Sequence, residues 1–115
     1  MTEKQFENKV KQWLKEQGSW ILKTWSNGVQ REGVPDLLVC CNGFFLAVEL
    51  KAEKGHPSEL QLWNIEQIRK AGGIALVLYP YQFDDFKDLV IQLNEFLHYS
   101  ASKSQHMFDR KGRTT

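Results

Sequence analysis

Three ionisable side chains stand at the ends of one oily stretch, GVPDLLVCCNGFFLAVELK: Asp36 near its start, Glu49 and Lys51 at its finish. Asn42-Gly43 in the middle is a strong hairpin signal, because a type I′ turn needs positive φ at both central positions. With those two as the loop, Cys41 faces Phe44, Leu38 faces Ala47 and Asp36 faces Glu49. Opposed residues point to the same side of a sheet with Cβ atoms about 4.5 to 5.5 Å apart. Lys51 joins that side, since side-chain direction repeats every second residue. Two carboxylates so placed, at an effective dielectric near 20, repel by roughly 3 kcal/mol, and desolvation adds to this. A cation must offset the repulsion, or one acid must keep its proton. Lys51 brings a single positive charge and leaves the trio net negative, so a divalent ion held by oxygen ligands fits what remains. Each residue alone has a blander reading: Asp36 as a turn residue after Pro35, Glu49 and Lys51 as a solvated pair at a strand end. A β-bulge between 36 and 49 would shift the register.

The elements that must position these groups are legible on both sides of the hairpin. From Thr2 to Gln17, Phe6, Val10, Trp13 and Leu14 recur at helical spacing, Thr2 and Gln5 resemble a capping box, and Gly18 stops the helix. Ser19 to Trp25 is a short strand candidate, followed by a polar loop through Arg31 and Glu32. Both faces of the hairpin are apolar, which marks its strands as interior to the sheet. Residues 58–71 read as a helix, with Ser58 and Gln61 as a second capping box and Gly72-Gly73 as its stop. Ile74 to Tyr79 is a buried strand closed by Pro80. A last helix from about Asp84 carries Phe86, Leu89, Val90, Leu93, Phe96 and Leu97 as one apolar stripe. The order is helix, three strands, helix, strand, helix: an α/β domain with helices flanking a mixed sheet, over residues 1–99. Residues 100–115 are polar and read as a flexible tail.

The totals exclude little. A chain of 115 residues, 42% hydrophobic, suits one compact domain, and a formal net charge of +1 gives no overall basic field to advertise nucleic acid. No apolar run approaches the roughly 20 residues that cross a bilayer, which suggests a soluble protein of the cytoplasm. Adjacent Cys40 and Cys41 project to opposite faces of a strand and read as buried free thiols rather than a disulfide. The three histidines have no partner at metal-ligand spacing, which argues against zinc.

Pro35-Asp36, a hairpin, then Glu49-Leu50-Lys51 resembles the signature of the PD-(D/E)XK nucleases. The later LQLWNIEQIRKAGGIALVLY resembles their VRR-NUC branch, in which a Gln followed by Trp opens the helix after the lysine strand. The resemblance spans about residues 3 to 80. It implies a restriction-endonuclease-like core in which Asp36, Glu49 and the backbone carbonyl of Leu50 bind Mg²⁺ or Mn²⁺. Lys51 would position or deprotonate the attacking water. Such folds often add an acid from the first helix. Glu7 lies eleven residues before Gly18, a distance similar to that in archaeal Holliday junction resolvases of the same superfamily, so it is preferred over Glu3. The alternative for both is a solvated helix face.

Gln61 is either the capping partner of Ser58 or a group beside the metal, and one residue can do both. Trp63 reads as core or interface before it reads as a DNA stacker. Lys23, Arg31 and Lys54 flank the proposed site and are candidate phosphate contacts, with solvated surface charge as the alternative. The resemblance implies a Mg²⁺-dependent endodeoxyribonuclease, selective for branched DNA such as a Holliday junction, acting as a homodimer and encoded by a phage or mobile element. The competing reading is a catalytically silent nucleic-acid-binding module or a subunit of a larger phage complex.

Overall fold

The computed structural model describes residues 1–25, 32–97 and 102–109. The elements follow in the order α1 (Glu3–Glu16), β1 (Trp20–Lys23), β2 (Leu37–Cys41), β3 (Phe44–Leu50), α2 (Glu59–Lys70), β4 (Ile74–Leu78), a 3₁₀ turn (Pro80–Gln82), α3 (Phe83–Glu95) and α4 (Ser102–Asp109). Both expected capping boxes form: Thr2 with Gln5 starts α1 and Ser58 with Gln61 starts α2. Each satisfies two backbone N–H groups that a helix start otherwise leaves orphaned.

The four strands lie side by side in chain order. β1–β2 and β2–β3 are antiparallel, and β3–β4 is parallel. A parallel neighbour cannot be reached by a tight turn, so the chain returns through α2, which crosses one face of the sheet. At the hairpin tip Asn42 and Gly43 both have positive φ, 49° and 87°. Cys41 pairs with Phe44 and Leu38 with Ala47, the register that this turn dictates.

The two sheet faces are packed by different helices. α1 and α3 bury Phe6, Val10, Leu14, Phe86 and Val90 against Leu37, Val39, Leu46, Val48 and Leu50. On the other face Ile65 of α2 packs on Ala47 and Ala75, whose small side chains let the helix approach. β2 and β3 are therefore interior strands, covered by α1 and α3 on one face and in part by α2 on the other.

Several expectations need correction. Cys41 is buried but Cys40 is exposed, because α2 covers its face of the sheet chiefly over β3 and β4. Phe96 and Leu97 do not extend the α3 stripe. The helix ends at Glu95, Phe96 turns to extended backbone, and Leu97 is 99% exposed. Phe96 instead meets Phe44 edge-on at 5.7 Å. The first strand stops at Lys23 instead of Trp25. Within the segment expected as a flexible tail, Ser102–Asp109 are helical.

Candidate active site

Asp36 is the last residue before β2, and its backbone is held from the β1 side. The Thr24 N–H donates to the Asp36 carbonyl at 2.8 Å, and the Thr24 hydroxyl donates to the Pro35 carbonyl at 2.7 Å. From the opposite side the Leu50 N–H donates to Asp36 Oδ2 at 2.8 Å. The proline-aspartate pair is thus clamped between two strands, and its carboxylate is aimed at the end of β3.

Glu49 lies on the face of β3 that α2 covers and is 2% exposed. Its Oε2 accepts from Lys51 Nζ at 3.1 Å and from Gln61 Nε2 at 2.9 Å. Gln61 is the capping partner of Ser58 and also reaches the Glu49 carboxylate: its Oε1 accepts the Ser58 N–H at 2.8 Å while its amide donates to Glu49 Oε2. The other Glu49 oxygen, Oε1, is buried with no hydrogen-bond partner. Burial, then the charge of Asp36, pushes the Glu49 carboxyl up to about 7 despite the opposing pull of Lys51. The structure therefore brings Asp36, Glu49, Lys51 and Gln61 together at one end of the sheet, where the charge of Asp36 works against ionisation of Glu49.

Glu7 is placed differently from expectation. It is buried on α1, and its carboxylate meets Lys23 at 2.7 Å, Lys11 at 3.1 Å and Lys4 at 3.2 Å. Burial works to raise its pKa, but hydrogen bonds from Lys23, Lys11 and Lys4 overcome this and hold it at about 2. Lys23 also lies 3.7 Å from Asp36 Oδ1, so it links the α1 cluster to the hairpin end. Burial opposes the Lys23 charge, yet Glu7 and Asp36 carry its pKa above the ordinary value. Of the two α1 acids considered as ligands, Glu3 and Glu7, it is the charge of Glu3 that adds to the upward push on Glu49.

Among the other candidates, Lys54 is exposed in the loop after β3, and Arg31 lies outside the described residues. Trp63 is half exposed and is not a core residue. A cavity of about 740 Å³ opens beside Asp36 between β1 and the start of α2, bordered by Lys23, Trp25, Gly33 and Gln61. Sequence reasoning passed over Thr24 and Asn64. Asn64 is buried on α2 and donates to the Glu32 carbonyl at 3.3 Å, steadying the loop that delivers Asp36. A polar residue on the inner side of a helix was the only signal for it.

The donor set suits a hard cation. Among the described residues no three His, Cys, Asp or Glu side chains gather to hold an ion, so the candidates are the two carboxylates and the neighbouring backbone. Mg²⁺ keeps several waters and is commonly held by one or two carboxylates, which matches this set. A buried carboxylate oxygen without a partner is costly, and a cation at Glu49 Oε1 offsets that cost.

A four-stranded mixed sheet with α1 and α3 on one face and α2 on the other is the fold of the PD-(D/E)XK nuclease superfamily. Residues 2–103 match the family model of the archaeal Holliday junction resolvases (Hjc), and the chain belongs to that family. Among solved structures it is similar to a VRR_NUC domain, with a TM-score of 0.61 and 29% identity over 87% of this chain and 100% of that one. It also resembles in fold the Holliday junction resolvase Hjc of Archaeoglobus fulgidus, with a TM-score of 0.53 and 22% identity over 66% of each chain. No curated protein sequence matches it.

Proposed function

We propose that this chain is a Mg²⁺-dependent DNA endonuclease that cuts branched DNA such as four-way junctions, with Mn²⁺ able to replace Mg²⁺. The observation that carries this reading is the bare, buried Oε1 of Glu49, next to Asp36 and with Lys51 on the other oxygen. Asp36, Glu49 and the Leu50 carbonyl are the proposed ligands. A divalent cation there would supply Lewis acidity, offsetting charge on the phosphoryl oxygens and acidifying water. Lys51 orients the attacking water and adds a fixed positive charge beside the pentacovalent phosphorus. Gln61 holds Glu49 Oε2 so that Oε1 stays open as a donor.

Glu7 is better read as the anchor of three lysines than as a ligand, since its oxygens are already satisfied. Lys23 and Lys54 are proposed phosphate contacts, and Arg31 keeps that role on its sequence position alone. A homodimer is supported by an apolar row across the sheet where α2 leaves it uncovered. Trp20, Cys40 and Phe45 are register partners there, with Trp20 63% and Phe45 46% exposed. Two sites related by a twofold axis suit paired incisions at a junction. No helix of the described residues is long and apolar enough to cross a membrane, in keeping with action on DNA in the cytoplasm.

The test is a panel of four-way junction, flap, single-stranded and linear duplex DNA, with Mg²⁺ and with chelator. The reading expects metal-dependent cleavage strongest on the junction. Equal cleavage of linear duplex contradicts branch selectivity, and cleavage that persists in chelator contradicts the metal site.

A further inference from the structure

Lys51 is the last residue of the signature, and it lies beyond the end of β3, where a sheet ordinarily frays. Two contacts from the end of β4 hold this region. The Lys51 N–H donates to the Leu78 carbonyl at 3.1 Å, extending the parallel ladder by one bond. One residue further along, the Tyr79 hydroxyl donates to the Gly55 carbonyl at 2.8 Å. Gly55 closes a turn by donating its N–H to the Ala52 carbonyl at 2.9 Å. It also lies against the lysine stem, since a Cβ built on Gly55 would sit 3.4 Å from Lys51 Cδ.

Tyr79 is itself well fixed. Its N–H donates to Gln82 Oε1 at 3.1 Å, and its ring stacks on Tyr81 at 5.7 Å with 22° between the planes. The hydroxyl thus reaches the loop from the rim of the sheet, and the loop it grips is the wall of the lysine. No step of the proposed hydrolysis touches Tyr79.

We propose that Tyr79 is a positioning residue for Lys51, acting through the Gly55 carbonyl to keep the β3–α2 loop closed over the lysine stem. A long side chain of this kind has several rotatable bonds, and a loop wall removes rotamers that place the ammonium away from Glu49. The link to turnover rests on the role proposed above for Lys51, whereas the link to Lys51 itself does not.

Tyr79→Phe removes the hydroxyl and keeps the ring. In the full chain, brief acylation with acetic anhydride, read by mass spectrometry, compares Lys51 with exposed Lys15 in the same molecule. The proposal expects the Lys51/Lys15 rate ratio to rise by about 3- to 10-fold in Tyr79→Phe, as loss of one hydrogen bond implies. It also expects kcat on the four-way junction to fall by a similar factor with KM unchanged. An unchanged acylation ratio overturns the proposal. A changed ratio with a raised KM and unaltered kcat also overturns it, by placing the loop in DNA binding. Wild-type protein that cleaves no DNA defeats the nuclease reading alone, and the acylation ratio still decides whether Tyr79 governs Lys51.

Discussion

Asp36 closes the open end of the hairpin, its Oδ2 accepting the Leu50 backbone N–H at 2.8 Å. The bond fixes the register where the β2–β3 ladder runs out and commits one carboxylate oxygen, leaving Oδ1 facing Lys23 at 3.7 Å. Structure and proposed chemistry are thus divided between the two oxygens of one side chain.

Asp36→Asn separates them. Its carbonyl oxygen can still accept from Leu50, so the variant is expected to fold with stability within about 1 kcal/mol of wild type. Without the charge, Mn²⁺ affinity should fall by roughly 100-fold or more, read by calorimetry. Thermal melts with and without metal check both halves.

Glu49 predicts a pH dependence of opposite sign to the usual carboxylate. Its folded value of about 7 lies above the ordinary 4.5. Without metal, its contribution is therefore most favourable below pH 4.5, and stability is lost as pH rises through 7 and the buried group must ionise. Metal uptake needs the ionised form, so affinity for Mn²⁺ should drop about tenfold per unit below pH 7 and level off above it. Glu49→Gln removes both dependences and should stabilise the metal-free protein at pH 8, measured by urea unfolding.

Glu7 behaves the other way. Its folded value of about 2 lies below 4.5, so its contribution to stability is full above pH 4.5 and is lost as pH falls towards 2. Glu7→Gln should cost roughly 2 to 3 kcal/mol at pH 7, leaving three clustered ammonium groups without their partner. The difference from wild type should shrink when urea unfolding is repeated at pH 2.5.

Much of this was legible in the sequence because it depends on short-range rules. Asn42-Gly43 dictates the turn, the turn dictates the register, and the register brings Asp36 to the end of the strand that carries Glu49. The capping boxes mark where α1 and α2 begin. What the sequence did not show depends on which helix covers which part of the sheet. Cys40 lies beyond the reach of α2, so its strand alternation gave the face but not the exposure. Glu7 was placed by its distance from Gly18, which fixes its turn of α1. That distance says nothing of Lys4, Lys11 and Lys23 arriving around it from two elements.

Gly33 tests how the site loop is packed. It has φ of +78°, and a Cβ there would sit 2.6 Å from Leu60 Cγ and 2.8 Å from Asn64 Nδ2. Gly33→Ala is therefore expected to destabilise the protein by about 1 to 3 kcal/mol. Because Leu60 precedes Gln61, the shift should also lower junction cleavage, and unfolding curves beside turnover assays check the pair of effects.

The central claim is that Asp36 and Glu49 share one divalent ion. Calorimetric titration of Mn²⁺ into wild type, Asp36→Asn and Glu49→Gln at pH 8 measures it directly. The account predicts a saturable site in wild type that both variants lose while remaining folded. Equal uptake in all three proteins, or none in wild type, would contradict it.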